Sequence, residues 1–308
     1  MANILPRDRQ IAVIAALSEG VSIRATERLT EIHRDTIMRL GARIGNGCAT
    51  LHDAMMRDLH VPIIEMDELW SFVGKKQKRL TANDGLDKGD QYVFVGLAAL
   101  EKAIISYRVG KRDGATTREF VSDLRSRVLG SPQISSDAFE PYAGAIAQAF
   151  GDEVHYGQIV KHYRGEPPIN AARRYSPGWV VGVEKRRVAG FPPDFLISTS
   201  YAERQNLTCR MQSRRFTRLT NGYSKKLDNH VAAVSLYVAH YNLCRVHQTL
   251  RVTPATALGL TDHAWSIAEL IDAAHEAGGG DEPSAPAPVT PPAPKNGRFT
   301  VIQGGRAA

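Results

Sequence analysis

The sequence predicts a mixed α/β protein with an all-helical N-terminal region. Three observations carry this. Residues 8–58 repeat apolar side chains at helical spacing, and from Pro62 the period changes to runs rich in Val, Ile, Phe and Tyr. Three such runs in series are then followed by alternating helix and strand. A chain of 308 residues can hold one large domain or two smaller ones, with ample core.

The helical region is taken as residues 1–60. Ile11, Ile14, Ala15 and Leu17 mark a first amphipathic helix, closed by Ser18, Glu19 and Gly20. A second helix, a turn near Glu31–His33 and a third helix from Arg34 follow. In the third, Ile37, Leu40 and Ile44 share one face, which leaves Arg34, Arg39 and Arg43 for the others. Three short helices with a basic third one suit a helix-turn-helix that enters the major groove of double-stranded DNA. A plain bundle with a solvated basic face gives the same pattern.

The α/β region is taken as residues 61–262. "PIIEMDELW", "QYVFVGLAAL" and "KAIISYRVG" read as strands, with turn signals at Asn83, Asp84, Gly85 and at Lys88, Gly89, Asp90. A helix over 116–129, a short strand "PQISSD" ending at Asp137, a helix over 139–150 and a strand around 153–160 continue the chain. Residues 161–198, broken by three Pro-containing pairs, read as an irregular insertion. Helical pattern resumes at Thr199, and a long helix from Lys225 places Leu227, Val231, Val234, Val238 and Tyr241 on one face. Residues 263–276 predict a short C-terminal helix. Residues 277–308, rich in Pro, Ala and Gly, lack the apolar bulk to offset ordering entropy and predict disorder.

Charge and cysteine usage narrow the function classes. Lys and Arg number 39 against 32 Asp and Glu, a net +7 that favours a polyanionic partner. Cys48, Cys209 and Cys244 lie far apart, so neither a disulfide framework nor a Cys-rich zinc site is expected. The start lacks a signal-peptide apolar stretch, and no apolar run is long enough to span a bilayer. These features predict a cytoplasmic, DNA-associated protein with no membrane segment.

The first strand poses a problem, because "IIEMDELWSFVGKK" carries three carboxylates in a stretch that reads as buried. Asp67 lies on it, Asp137 ends a later strand, and Glu203 lies near the start of a helix in "STSYAERQN". If the two strands are parallel neighbours, Asp67 and Asp137 converge at one end and Glu203 closes the site from the packed helix. Clustered carboxylates raise one another's pKa, and a divalent cation removes the conflict; hard oxygen ligands suit Mg²⁺ or Mn²⁺. Such metals support in-line phosphoryl displacement without a covalent nucleophile from the protein. From 203 to 226 the cations Arg204, Arg210, Arg214, Arg215, Arg218, Lys225 and Lys226 face one acid, Glu203. On a continuous helix Glu203, Arg210 and Arg214 fall near one face, where cations bind phosphates.

Four motifs in order, "MDELWSFVGKK", "SSDAFEPY", "TSYAERQNLTCRMQSRRFTR" and "HYNLCRVHQTLRVTPATALGL", resemble the transposases of the insertion-sequence-one family over about residues 61–260. The resemblance implies a ribonuclease-H-like core with a D-D-E triad on Asp67, Asp137 and Glu203. It further implies cleavage at element ends and transfer of the freed 3′-hydroxyls into target DNA, by an oligomer holding two ends. Some members carry an N-terminal Cys zinc finger, whereas here no cysteine precedes Cys48. The rival readings are a DNA-binding protein without catalysis and a nuclease on the same fold. A sugar hydrolase fits the basic balance poorly. Beside the triad, Glu68 is expected on the opposite strand face in an ion pair or exposed, and Glu65 is a weaker ligand candidate on Asp67's face. Trp70 is expected in the core or at its rim, with base stacking as the alternative.

Overall fold

The structure, a computed structural model, describes residues 5–164, 179–217 and 220–279. One mixed sheet contains β1 (Ile63–Val73), β2 (Gly89–Ala98), β3 (Ala103–Gly110), β4 (Gln133–Asp137), β5 (His155–Arg164) and β6 (Trp179–Ala189). Its order is β3-β2-β1-β4-β5-β6. β2 is antiparallel to β1 and β3, β4 is parallel to β1 and β5, and β6 is antiparallel to β5. β1 therefore sits centrally and is covered on both faces, which is why its sequence reads as a nearly continuous apolar run.

Alternation along β1 sorts the two faces. Ile64 and Met66 pack with Phe94, Phe120 and Leu124 beneath α4 (Gly114–Arg127) and α5 (Pro141–Phe150). Leu69 packs the other way, with Val93, Val95, Val234 and Val238, beneath α6 (Ser200–Gln212) and α7 (Leu227–Ala239). Glu65 and Asp67 share Leu69's parity and so face α6.

The N-terminal helices are α1 (Arg7–Ser18), α2 (Ile23–Thr30) and α3 (Arg34–Met55). The Ser22 hydroxyl caps α2 by accepting the Ala25 N–H at 3.2 Å. Glu31, at φ 56°, ends that helix in the left-handed region. The turn falls where the sequence placed it. The second half of α3, however, is core. A Cβ at Gly45 would lie 2.1 Å from the Ala232 carbonyl oxygen on α7. One at Gly47 would lie 2.0 Å from that of Ala274 on α9 (Ile267–Ala277). Ile37, Leu40, Ile44 and Cys48 share a cluster with Leu236, Leu270 and Ile271. Residue 60 is thus a change of element type without a break in packing. Between α7 and α9 the chain makes a π-helical turn over His240–Cys244 and a short α8 (Pro254–Ala257).

Part of the stretch expected to be irregular is regular. Residues 161–164 complete β5, and 179–189 form β6 against it. β6 escaped the sequence reading because it is an edge strand largely exposed on both faces, so no in–out alternation marks it. Residues 165–178 of that stretch, Arg218, and residues 280–308 of the tail expected to be disordered lie outside the described residues. Among the described residues no helix is long and apolar enough to cross a membrane.

Candidate catalytic and DNA-binding site

Strand register brings the first two acids level. β1 and β4 pair Ile63 with Gln133, Ile64 with Ile134 and Glu65 with Ser135, a constant offset of 133 − 63 = 70. Asp67 and Asp137 have the same offset, 137 − 67 = 70, so extending that register past the last paired residues sets Asp137, the end of β4, level with Asp67 in the middle of β1. Neighbouring strands lie about 4.8 Å apart. Asp137 closes β4 by accepting the Phe139 N–H at 2.9 Å.

α6 presents the third acid over the same face. Glu203 lies in its first turn and accepts the Thr199 hydroxyl at 2.9 Å. One helical turn on, Asn206 Nδ2 donates to Asp67 Oδ2 at 2.8 Å, tying α6 to β1 beside the acids. The start of α6 is anchored by Glu65, whose Oε2 accepts the N–H groups of Tyr201 at 2.7 Å and Ala202 at 3.0 Å. Thr199 supplies no side-chain cap, so a buried carboxylate from the sheet takes that place, where the helix dipole favours negative charge. Glu65 therefore acts as an anchor for the helix rather than as an open ligand position.

Electrostatics mark Asp67. Burial first, then the Glu68 charge, push its pKa up to about 7, with Asp137 and Glu203 adding to the rise and the Glu68 N–H opposing it. It accepts hydrogen bonds from neutral groups, the Glu68 N–H at 2.9 Å and the Asn206 amide. The other two acids have cations. Arg112 bridges Glu68 at 3.1 Å and Asp137 at 3.4 Å while its guanidinium lies 3.8 Å over the Phe139 ring. Lys161 pairs with Glu203. Glu68 does face away from Asp67, and its side chain is only 4% exposed against 41% for Asp137 and 46% for Glu203. The latter two are open to a ligand.

Among the described residues no three His, Cys, Asp or Glu side chains are gathered tightly enough to hold a metal ion. The donor chemistry nevertheless fits a hard divalent cation. Three carboxylates share one region, Asp67 carries the cost of its like-charged neighbours, and Arg112 and Lys161 neutralise the rest. Those two cations occupy the acids that a metal would need.

The basic residues fall in two places. Arg34, Arg39 and Arg43 are exposed on the N-terminal half of α3. Arg204 is exposed beside Glu203, and Arg210 lies two turns along α6. Arg214 is not on that helix. α6 ends at Gln212, and Arg214 opens a 3-10 turn after the extended Ser213, so the eleven-residue helical spacing from Glu203 does not apply. All three cysteines are free.

Sequence reasoning missed Arg112 and Lys161, which only the folded sheet brings to the acids: Lys161 lies two residues beyond Ile159, the partner of Asp137. Asn206 left a usable signal, since it follows Glu203 by three residues and so shares its helix face.

No family model matches the chain, and no curated protein matches it significantly. Among solved structures, the chain has a likeness to a Mos1 transposase paired-end complex with left transposon end, at 15% identity and a TM-score of 0.18. That match covers 48% of this chain and 58% of the other, so the chain spans less than two thirds of its length. The crystal structure of the Mos1 Strand Transfer Complex matches at 13% identity over 78% and 77% of the two chains, with a TM-score of 0.20.

Proposed function

We propose that this chain is a D-D-E transposase with a ribonuclease-H-like core, which cleaves the ends of an insertion sequence and joins their 3′-hydroxyls to target DNA. The observation that supports the proposal is that the β1–β4 register sets Asp137 level with Asp67 and that α6 brings Glu203 to the same side, both near enough for their charges to add to the rise in Asp67's pKa. The strand order, with three antiparallel strands followed by parallel β4 and β5, supports the fold assignment. The four sequence motifs support the family.

Asp67, Asp137 and Glu203 would hold Mg²⁺, or Mn²⁺ in its place. Bound there, a pair of divalent cations supplies activation of a water or hydroxyl and stabilises the leaving oxygen of an in-line displacement. The protein's own groups do the rest. Asn206 fixes the orientation of Asp67, and Glu65 holds α6 so that Glu203 faces the strand ends. Arg112 and Lys161 pair with Asp137 and Glu203, and a cation held by those carboxylates would leave both side chains free for DNA phosphates. Arg204, Arg210 and Arg214 steady the DNA backbone near the acids, and Arg34, Arg39 and Arg43 engage the duplex of the element end. Two ends must be held together, so the working enzyme is a homo-oligomer on double-stranded DNA.

The test mixes purified protein with a labelled fragment carrying the gene's flanking sequences and a supercoiled plasmid, in Mg²⁺, Mn²⁺ or EDTA. Metal-dependent nicking and joining at mapped 3′ ends, lost in Asp137→Asn, is the expected result. Cutting without joining would make the protein a nuclease. Binding that ignores both metal and the substitution would leave a DNA-binding protein without catalysis.

A further inference from the structure

A cleft of about 920 Å³ separates the N-terminal helices from the chain that links α6 to α7. Its lining combines cations with apolar side chains. Arg24 and Arg34 come from one wall, and Arg214, Arg215 and Lys225 from the other, against a single acid, Asp35. Leu17, Ile37, Leu236 and Tyr237 form the apolar part.

Arg215 is the informative residue. It donates to the Ser224 hydroxyl at 2.9 Å and has no carboxylate partner among the described residues. Burial lowers its pKa, with no acid near to oppose that. A desolvated cation in this position is costly unless an anion joins it.

Aromatic rings continue from the cleft. Tyr223, in its lining, has its ring centroid 4.5 Å from that of Phe72, and Phe72 is 5.8 Å from Trp70. The Lys225 ammonium lies 3.7 Å over Tyr223, and Lys76 lies 5.9 Å over Phe72. Trp70 and Phe72 stand on β1 beyond Glu68 and share its parity, so the row of rings runs from the cleft around the end of β1 to the face opposite Asp67.

We propose that this cleft and its ring row bind an unpaired DNA strand, with phosphates on the cationic walls and bases against Tyr223, Phe72 and Trp70. The inference rests on the reading that DNA is the partner, and it names the form of DNA. A duplex, whose major groove alone is about 12 Å wide, presents phosphates but keeps its base faces stacked. Only an unpaired strand offers both phosphates to the walls and base faces to the rings, and rings interleaved with cations are the chemistry that single strands use.

Fluorescence anisotropy with a short labelled oligothymidylate, and separately with a blunt duplex of the same length, tests this in the full chain. Arg24→Gln changes an exposed side chain, and Tyr223→Leu removes one ring; thermal melting checks that each is folded. The expected result is a loss of roughly tenfold in oligothymidylate affinity for Tyr223→Leu, with duplex affinity unchanged. For Arg24→Gln, the salt dependence of oligothymidylate binding should also fall by about 0.7 in logarithmic slope. Unchanged oligothymidylate binding in both variants, or equal losses on the duplex, overturns the inference while leaving DNA as the partner. Failure of the wild-type protein to bind either form overturns the DNA reading as well.

Discussion

Asn in place of Asp67 should abolish strand joining and, at the same time, stabilise the metal-free protein above neutral pH. The loss of joining should be roughly a thousandfold or more, the scale for removing a charge that acts in the transition state. The gain in stability follows from the same carboxylate. Its folded pKa, about 7, lies above the ordinary 3.8, because burial and the Glu68, Asp137 and Glu203 charges penalise ionisation. A group with a raised folded pKa contributes fully below its unfolded pKa, and that contribution drains away as pH climbs from about 4 to about 7. Each pKa unit is worth ~1.4 kcal/mol, and Asp67 keeps some contact with solvent, so the penalty at pH 8 is on the order of 2 kcal/mol. Asn has the same shape and carries no charge, and the Asn206 amide can turn its oxygen toward the new donor. Melts in EDTA should therefore coincide for wild type and variant at pH 4, with the variant several degrees more stable at pH 8. Identical curves at both pH values would remove Asp67 from the strained cluster.

Glu65→Ala should cost both stability and activity, with Glu65→Gln restoring most of each. Glu65 is 1% exposed and accepts two N–H groups at the start of α6. Burial raises its pKa, and the Ala202 and Tyr201 N–H groups oppose the rise, so the contacts favour the anion. Truncation leaves two donors without an acceptor and a void at the helix start, a loss of roughly 2–4 kcal/mol. Gln keeps an acceptor oxygen and gives up only the charge. A purely structural role would lower the melting temperature alone. A role in placing Glu203 also raises the Mg²⁺ concentration for half-maximal joining, measured well below the melting transition, and leaves duplex affinity unchanged.

The residues that could be read in the sequence are those whose local surroundings announce them. Asp67 stood out because a carboxylate in an apolar strand needs a reason, and Asp137 because it ends a short strand; both strands are found there. The turn at Glu31–His33 and the start of α3 at Arg34 followed from apolar spacing alone. What stayed hidden depends on tertiary pairing. β6 carries no alternation because neither face is buried. Arg112 reaches Glu68 and Asp137 from the chain just after β3, and Lys161 reaches Glu203 from β5, contacts that no spacing in the sequence encodes. Glu65 was placed on the correct face, but its partner is a helix terminus delivered by a segment 136 residues away. The break at Ser213 that takes Arg214 off the helix also left no sequence signal, since the stretch contains neither Gly nor Pro.

The central claim is that Asp67, Asp137 and Glu203 together hold a divalent cation. Titration of the purified protein with Mn²⁺, followed by electron paramagnetic resonance of the free ion, measures this without DNA or turnover. The account predicts saturable binding in the wild type that is strongly weakened in each of Asp67→Asn, Asp137→Asn and Glu203→Gln. Binding indifferent to all three substitutions, or no binding at all, would contradict it.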